Sequence, residues 1–169
     1  FYFTERGARK VYQYGRSFVP ERSFHTARSY ASLCFDPSER CFWAASSQCA
    51  AEIFKLDACF REIDCYAVAV PGCGEPGLSY DCSRDRLVVA FASMVVCVEK
   101  DRRVSRPLVR CGGEWILGLV SVSPYIFVNC ADDDRQTIRI FSSEGALLEE
   151  YTLPGADVVI AAVFNPSPD

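Results

Sequence analysis

The sequence contains few of the residues on which catalytic and nucleic-acid-binding sites are most often built. Its 169 residues include one histidine, one methionine and two tryptophans, and the net charge is −4. Nucleic-acid binding through a broad basic face is therefore not expected. The apolar runs are far shorter than the roughly 18 to 20 residues of a membrane-spanning helix, so the sequence predicts no membrane span.

Motifs for cofactors and covalent catalysis are also missing. The chain has no nucleophile elbow, no phosphate-binding loop and no dinucleotide fingerprint. Residues 109–114 contain two adjacent glycines, but the spacing of a phosphate loop is absent and a turn is predicted there. We therefore predict no cofactor, and we leave enzymatic activity open while favouring a non-enzymatic role.

The ten cysteines are numerous, but none belongs to a C-x-x-C pair. Several lie within apolar runs, such as residues 32–35 and 95–98, where a cysteine behaves as a small hydrophobic residue. We expect mainly free core thiols, which favours a reducing cytoplasm. Because the number of cysteines is even, one or more disulfides remain an alternative. A metal site is disfavoured, since no cysteine spacing is matched by histidines.

Short β-rich segments dominate the chain, and helical periodicity is almost absent. Residues 87–91 and 125–128 are examples, and Asp, Gly, Pro and Ser interrupt such segments at short intervals. The sequence therefore predicts an all-β protein.

The segments recur as a unit of four strands. Residues 32–36 and 41–44 match residues 77–81 and 86–89 at an offset of 45, and a third copy starts at 118–122 and 125–128. The predicted third strands are 52–56, 95–98 and 137–141, and the fourth are 59–67, 104–110 and 146–153. The units span about residues 27–70, 71–112 and 113–155. One such meander cannot cover both of its faces, so stacking of the units is expected.

The two ends of the chain together supply a fourth unit. Residues 161–165 have the pattern of a first strand, and residues 1–4, 10–14 and 17–24 have those of the following three. Joined end to end, residues 164–169 and 1–3 align without a gap with residues 35–43. We therefore expect residues 156–169 and 1–26 to form one unit, in which the strand around Val163 pairs with the strand around Phe3.

This pattern resembles the β-propeller repeat superfamily. Residues 137–145 (TIRIFSSEG) are similar to the third strand and turn of NHL- or YVTN-type blades. The resemblance implies a small all-β propeller of four blades, each of four antiparallel strands, with the termini sharing one blade. A fragment of a larger propeller, two chains pairing into one ring, and a different β fold such as a sandwich remain alternatives. The small residues that open the first strands suit a narrow centre; they are Ser32, Gly77, Gly118 and Ala161.

Polar residues end three of the predicted inner strands. Asp36, Asp81 and Asn165 would gather at one mouth of the propeller channel, where carboxylate and carbonyl oxygens could bind a ligand or a cation such as calcium. Asp and Asn at such positions also start β-turns by binding their own backbone two residues further on. The turn interpretation is favoured, and the three residues remain the candidate ligand or cation site.

Other candidate residues have weaker support. His25 has no partner motif and is predicted to lie on the surface or in a loop, between two units. Residues 132–134 are three aspartates without the spacing of an EF-hand, so a solvated turn is expected. Cys73 has no nearby basic residue that would make it a nucleophile.

The three lysines, Lys10, Lys55 and Lys100, are 45 residues apart. Each falls on or just after a predicted third strand. This regular spacing predicts a solvated position on the outside of each unit.

The absence of a catalytic set favours a non-enzymatic binding or scaffolding module with a protein or small-ligand partner. One alternative is a propeller hydrolase or lyase that uses the carboxylates at the channel mouth. Another alternative is a structural piece of a larger repeat protein. The sequence leaves open whether the chain forms a homodimer.

Overall fold

The computed structural model describes residues 1–5, 7–46, 52–68, 76–101, 104–133 and 135–153. This described part contains 15 β-strands and no helix, so no helix in it is long and apolar enough to cross a membrane. The strands are β1 Tyr2–Thr4, β2 Lys10–Tyr14, β3 Pro20–His25, β4 Tyr30–Asp36, β5 Cys41–Ser46, β6 Glu52–Leu56, β7 Glu62–Ala67, β8 Gly77–Asp81, β9 Arg86–Phe91, β10 Met94–Glu99, β11 Val104–Arg110, β12 Trp115–Val122, β13 Tyr125–Ala131, β14 Gln136–Ser142 and β15 Leu147–Leu153.

The strands form four antiparallel meanders in which neighbours along the chain are neighbours in the sheet. Sheet 1 contains β1–β3, sheet 2 contains β4–β7, sheet 3 contains β8–β11 and sheet 4 contains β12–β15. Each observed strand overlaps a strand predicted from the alternation of apolar and polar residues. The prediction of an all-β protein is therefore confirmed.

Tight turns join the first and second strands of sheets 2 and 3. Arg40 and Asp85 end these turns in the left-handed region, with φ of 53° and 49°. This conformation allows the chain to reverse within four residues and to enter the next strand in register. The hairpins β4–β5 and β8–β9 consequently close with the pairs Asp36–Cys41 and Asp81–Arg86.

The first strands of sheets 2, 3 and 4 lie side by side at the centre, and β1 packs against β4. A Cβ atom on Gly77 would lie 3.4 Å from the Cβ of Leu119 and 3.5 Å from that of Ala90. Neighbouring first strands thus approach closely, which explains a small residue at the start of β8. The four sheets are the blades of a four-bladed β-propeller, as predicted.

The sheets differ in how their faces are covered. Every residue of β5 and β9 is buried, because sheets 2 and 3 lie between other sheets. Among the described residues, sheet 1 packs on sheet 2 and sheet 4 packs on sheet 3, and β3 and β15 are largely exposed. Three apolar clusters fill the interfaces: Val11 with Tyr30 and Phe60 between sheets 1 and 2, Trp43 with Val89 between sheets 2 and 3, and Val95 with Ile126 between sheets 3 and 4.

Eight cysteines fall in the described part, and all eight are free. Four of them are buried core thiols, and of these Cys97 lies in the apolar run at residues 95–98: Cys41, Cys97, Cys111 and Cys130. Cys59, Cys65 and Cys82 are exposed and Cys34 is half-buried. Cys49 and Cys73 lie outside the described residues.

Sheet 1 is described with three strands. The first strand predicted for this unit, residues 161–165, lies outside the described residues, and so does the predicted pairing of Val163 with Phe3.

Candidate functional sites

Two of the three residues predicted at the channel mouth form turns of the same geometry. Oδ1 of Asp36 accepts hydrogen bonds from the backbone N–H and the hydroxyl of Ser38, at 2.9 and 2.7 Å. Oδ1 of Asp81 does the same with Ser83, at 3.2 and 2.7 Å. These are the side-chain turns expected for Asp after a strand. Asn165 lies outside the described residues.

The second carboxylate oxygen of each aspartate accepts a hydrogen bond from a buried, positively charged side chain. Oδ2 of Asp36 accepts from Nζ of Lys100 at 2.6 Å and from Nε1 of Trp43 at 3.2 Å. Oδ2 of Asp81 accepts from Nε of Arg86 at 3.0 Å. Both aspartates are at most 1% exposed. An external ligand or cation would therefore have to replace these protein partners.

Lys100 is the centre of a charge cluster that connects sheet 2 to sheet 3. Beyond Asp36, its ammonium group pairs with Asp85 and with Glu39, the latter at 3.2 Å. It also lies 5.0 Å from the ring centre of Tyr80, a cation–π contact. The lysine side chain is 6% exposed. The prediction of a solvated outer lysine is therefore wrong for Lys100, because acidic groups from two sheets surround it.

The ionisable groups of this cluster stay charged at neutral pH. Burial opposes ionisation of Asp36, but hydrogen bonds from Lys100, Ser38 and Trp43 outweigh it and lower the pKa of Asp36 to about 2. Burial also disfavours the charged form of Lys100, yet its carboxylate partners raise the lysine pKa above the ordinary value. Lys100 lowers the pKa of Asp85 in turn. Such fixed charges are suited to joining two sheets and are poor proton donors or acceptors at neutral pH.

The remaining sequence candidates do not assemble into a site. His25 is exposed at the end of β3, in agreement with the predicted surface position. Oδ1 of Asp132 accepts from the backbone N–H of Arg135 at 2.9 Å, which is a turn contact. Among the described residues no group of three or more His, Cys, Asp or Glu side chains could hold a metal ion. Cys73 lies outside the described residues.

An aromatic cleft lies on the face of sheet 1 that is turned away from sheet 2. Phe3 pairs with Tyr12 across β1 and β2, and Tyr14 follows on the same face. Together with Thr4, Glu5 and Phe18 these residues line a cavity of about 620 Å³. Phe3 is 39% exposed and Phe18 is 65% exposed, so large apolar side chains here face solvent.

Contacts between the side chains define the shape of the aromatic cleft. The rings of Phe3 and Tyr14 meet edge to face with centres 5.2 Å apart. Phe18 stacks on Phe1, also at 5.2 Å. The Tyr12 hydroxyl donates to Oε2 of Glu5 at 2.9 Å, and this hydrogen bond raises the pKa of Tyr12. Among the lining residues Glu5 carries the charge.

A second cavity of about 490 Å³ lies on the other side of β1. Its walls come from β1 and from the first strands of sheets 2, 3 and 4, so it occupies the centre of the propeller. Sequence reasoning did not identify either cavity. A signal was present, because residues 1–18 contain six aromatic side chains, one in three, whereas 13% of the whole chain is aromatic.

Comparisons with known proteins identify a fold and no family. No model of a protein family matches the chain, and no curated protein sequence matches it. A chain of hydrazine synthase from Kuenenia stuttgartiensis is similar in structure, with a TM-score of 0.64 and 9% identity over 86% of this chain and 43% of that one. A chain of a nidogen–laminin complex is similar with a TM-score of 0.65 and 14% identity, over 89% of this chain and 59% of that one. This chain thus spans about half the length of these two structures, and what it shares with them is the β-propeller fold.

Proposed function

We propose that this chain is a non-enzymatic β-propeller interaction module, and that its aromatic cleft binds a basic segment of a partner protein. The observation that carries the proposal is the aromatic cleft itself: four aromatic side chains surround a solvent-open cavity beside the carboxylate of Glu5.

The chemistry of the aromatic cleft selects for an organic cation. The face of an aromatic ring attracts the guanidinium of arginine or the ammonium of lysine. Glu5 adds a negative charge at one side of the cavity, within reach of a group that already contacts Tyr12 or Phe3. The aliphatic part of an arginine or lysine side chain would cover the exposed ring surface of Phe18.

Two further features support an interaction module. The charge cluster around Lys100 gives sheets 2 and 3 a fixed arrangement, so the propeller offers a rigid support for the exposed sheet 1. One of the similar structures is a chain from a complex of two proteins, nidogen and laminin. A propeller with this fold is thus found in a protein complex.

Selection from a random peptide library displayed on phage tests the proposal. We expect enrichment of peptides that contain arginine or lysine. The Glu5→Gln variant keeps an acceptor for Tyr12 and removes the charge, and we expect it to weaken binding of the selected synthetic peptides about tenfold, equivalent to about 1.4 kcal/mol. Tyr14→Ala should weaken binding by at least as much.

The matched controls are Glu149→Gln and Tyr151→Ala, which change an acidic and an aromatic residue on the exposed strand β15. These variants should bind the peptides as the wild type does. Selection of peptides without basic residues, or equal affinity of the Glu5→Gln variant, would contradict the proposal.

A further inference from the structure

Two cysteine thiols contact each other at the interface of sheets 3 and 4. Cys111 directly follows β11, and Cys130 lies near the end of β13. They are 1% and 0% exposed and belong to the same apolar cluster. Hydrogen bonding between the two thiols is the largest influence on the pKa of each. Formation of a disulfide would connect the turn after β11 to sheet 4.

The surroundings of this pair are polar on one side. Arg139 projects from β14 on the same face as Cys130, and its guanidinium lowers the pKa of Cys111. Glu114 and Glu150 hold the guanidinium of Arg139 in place. Oε1 of Glu114 and the hydroxyl of Thr137 are buried there without a hydrogen-bond partner in the described structure.

These neighbours shift the pKa values of the two thiols in opposite directions. The hydrogen bond from Cys130 lowers the pKa of Cys111, burial opposes this effect, and Arg139 lowers the pKa further. The same hydrogen bond and burial raise the pKa of Cys130. By contrast, burial raises the pKa of Cys97, another core thiol of sheet 3. A thiolate is the nucleophilic form of cysteine. Cys111 also directly precedes the exposed turn at residues 112–113, whereas Cys130 lies within β13, so Cys111 is the attacking sulfur of the pair.

We propose that Cys111 and Cys130 form a reversible dithiol–disulfide site whose oxidant is a small peroxide. The Cys111 thiolate attacks one peroxide oxygen, the O–O bond breaks, and the leaving hydroxide takes a proton to become water. The sulfenic acid on Cys111 is then attacked by the sulfur of Cys130, which loses its proton, and a second water leaves. In total, two thiols lose two electrons and hydrogen peroxide is reduced to two waters. A thiol reductant reverses the reaction.

A short and exposed turn separates Cys111 from solvent. Gly112 and Gly113 follow it with φ of 44° and 102° and are exposed. Both glycines line a cavity of about 210 Å³ together with Ser93, whose carbonyl accepts from the N–H of Cys111. A peroxide molecule is small enough to enter such a cavity, and opening of this turn would give it access to the sulfur.

Peptide mapping of the full chain tests the site. The reduced protein is treated with hydrogen peroxide, remaining thiols are blocked, and disulfides are located by mass spectrometry without reduction. We expect a Cys111–Cys130 disulfide to form at least about tenfold faster than any bond between Cys34 and Cys41, the matched neighbouring thiols of sheet 2, whose pKa values burial raises. Equal oxidation of the two pairs, or bonding of Cys111 to another cysteine, would overturn the proposal.

The Cys130→Ser variant isolates the first step. It should accumulate the sulfenic acid of Cys111, detected with dimedone, whereas Cys111→Ser should form neither product. A measurement on the wild type covers the case in which a variant fails to fold. Alkylation of Cys111 in the folded chain should reach half of its maximal rate at lower pH than in the urea-unfolded chain, and a higher pH for the folded chain would overturn the proposal.

Discussion

Lys100 shows how far the neighbours of one side chain determine its role. Lys10 begins β2 of sheet 1 and is half-buried, whereas Lys100 directly follows the end of β10 in sheet 3 and is enclosed by Asp36, Glu39 and Asp85. Removal of one member of a buried ion pair leaves a charge without compensation, which is far more costly than loss of an exposed charge. The stability of the propeller should therefore depend on Lys100 and hardly on Lys10.

Lys100→Met is expected to lower the free energy of unfolding by about 3 kcal/mol, because Asp36 stays buried without its ammonium partner. The matched variant Lys10→Met should change it by less than about 0.5 kcal/mol. Urea unfolding in the presence of a reductant measures both. Equal losses in the two variants would show that the charge cluster does not hold sheets 2 and 3 together.

Asp36 should make the stability depend on acid pH. Its pKa of about 2 in the folded protein lies below the value of about 3.9 for an unfolded chain. The contribution of Asp36 to the free energy of unfolding is therefore complete above a pH of about 4, and it disappears as the pH falls toward about 2. Over this interval the wild type should lose about 2 kcal/mol more than Asp36→Asn, as measured by urea unfolding at each pH. Asp133→Asn, in an exposed turn, should follow the wild type.

Among the turns and strands, the turn between β14 and β15 depends most directly on a close approach between sheets. Gly145 has a φ of 88°, and a Cβ atom there would lie 2.6 Å from the backbone oxygen of Leu108 on β11. Gly7 has a similar φ of 78°, and a Cβ atom on it would have no neighbour within 4 Å. The two glycines thus share a backbone conformation and differ in packing.

Gly145→Ala should destabilise the protein by about 2 to 4 kcal/mol, from conformational strain and overpacking together. Gly7→Ala should cost about 1 kcal/mol, since strain alone applies. Thermal unfolding followed by circular dichroism compares the two variants. If they unfold at the same temperature, sheets 3 and 4 can move apart enough to accept the methyl group.

The strands were predictable from the sequence because alternation of apolar and polar residues is a local property. The errors at their ends have local causes as well. Strand β7 begins at Glu62 and not at Cys59, because Oδ1 of Asp57 accepts from the N–H groups of Cys59 and Arg61 and holds a turn. Strand β12 starts before residue 118 because a bulge between Ile116 and Gly118 interrupts the alternation.

For the molecule as a whole, the repeating unit length predicted the propeller, but the contacts between blades could not be predicted. Asp36 and Lys100 are 64 residues apart, and their pairing requires knowledge of which sheets are neighbours and in which register. The aromatic cleft was missed for a similar reason. Phe3 and Tyr12 lie on one face only because β1 pairs with β2 in one particular register, and a change of one residue would separate them.

The direction of the backbone N–H groups along β1 is relevant to how the propeller closes. The N–H of Tyr14 donates to the carbonyl of Phe1 at 2.8 Å, so the alternation of an antiparallel pair turns the N–H groups of Tyr2 and Thr4 away from β2. They point toward the side where the sequence predicts residues 161–165 as the first strand of this unit. Pairing with that strand would place both groups in hydrogen bonds.

Hydrogen exchange of the full chain followed by NMR tests this closure. The amides of Tyr2 and Thr4 should be protected, and they should lose protection in a chain ended after Leu153, where the amide of Phe3 remains bonded to β2. Rapid exchange of Tyr2 and Thr4 in the full chain would mean that residues 161–165 do not complete the sheet.

The buried thiols make local opening of this protein measurable without any substitution in the chain. Cys41 reports on sheet 2, Cys97 on sheet 3 and Cys130 on sheet 4, and each sulfur reacts only when its surroundings open. The exposed Cys82 supplies a reference rate in the same molecule. A time course of alkylation would therefore rank three blades by the frequency of their local opening, in a single experiment on the wild-type chain.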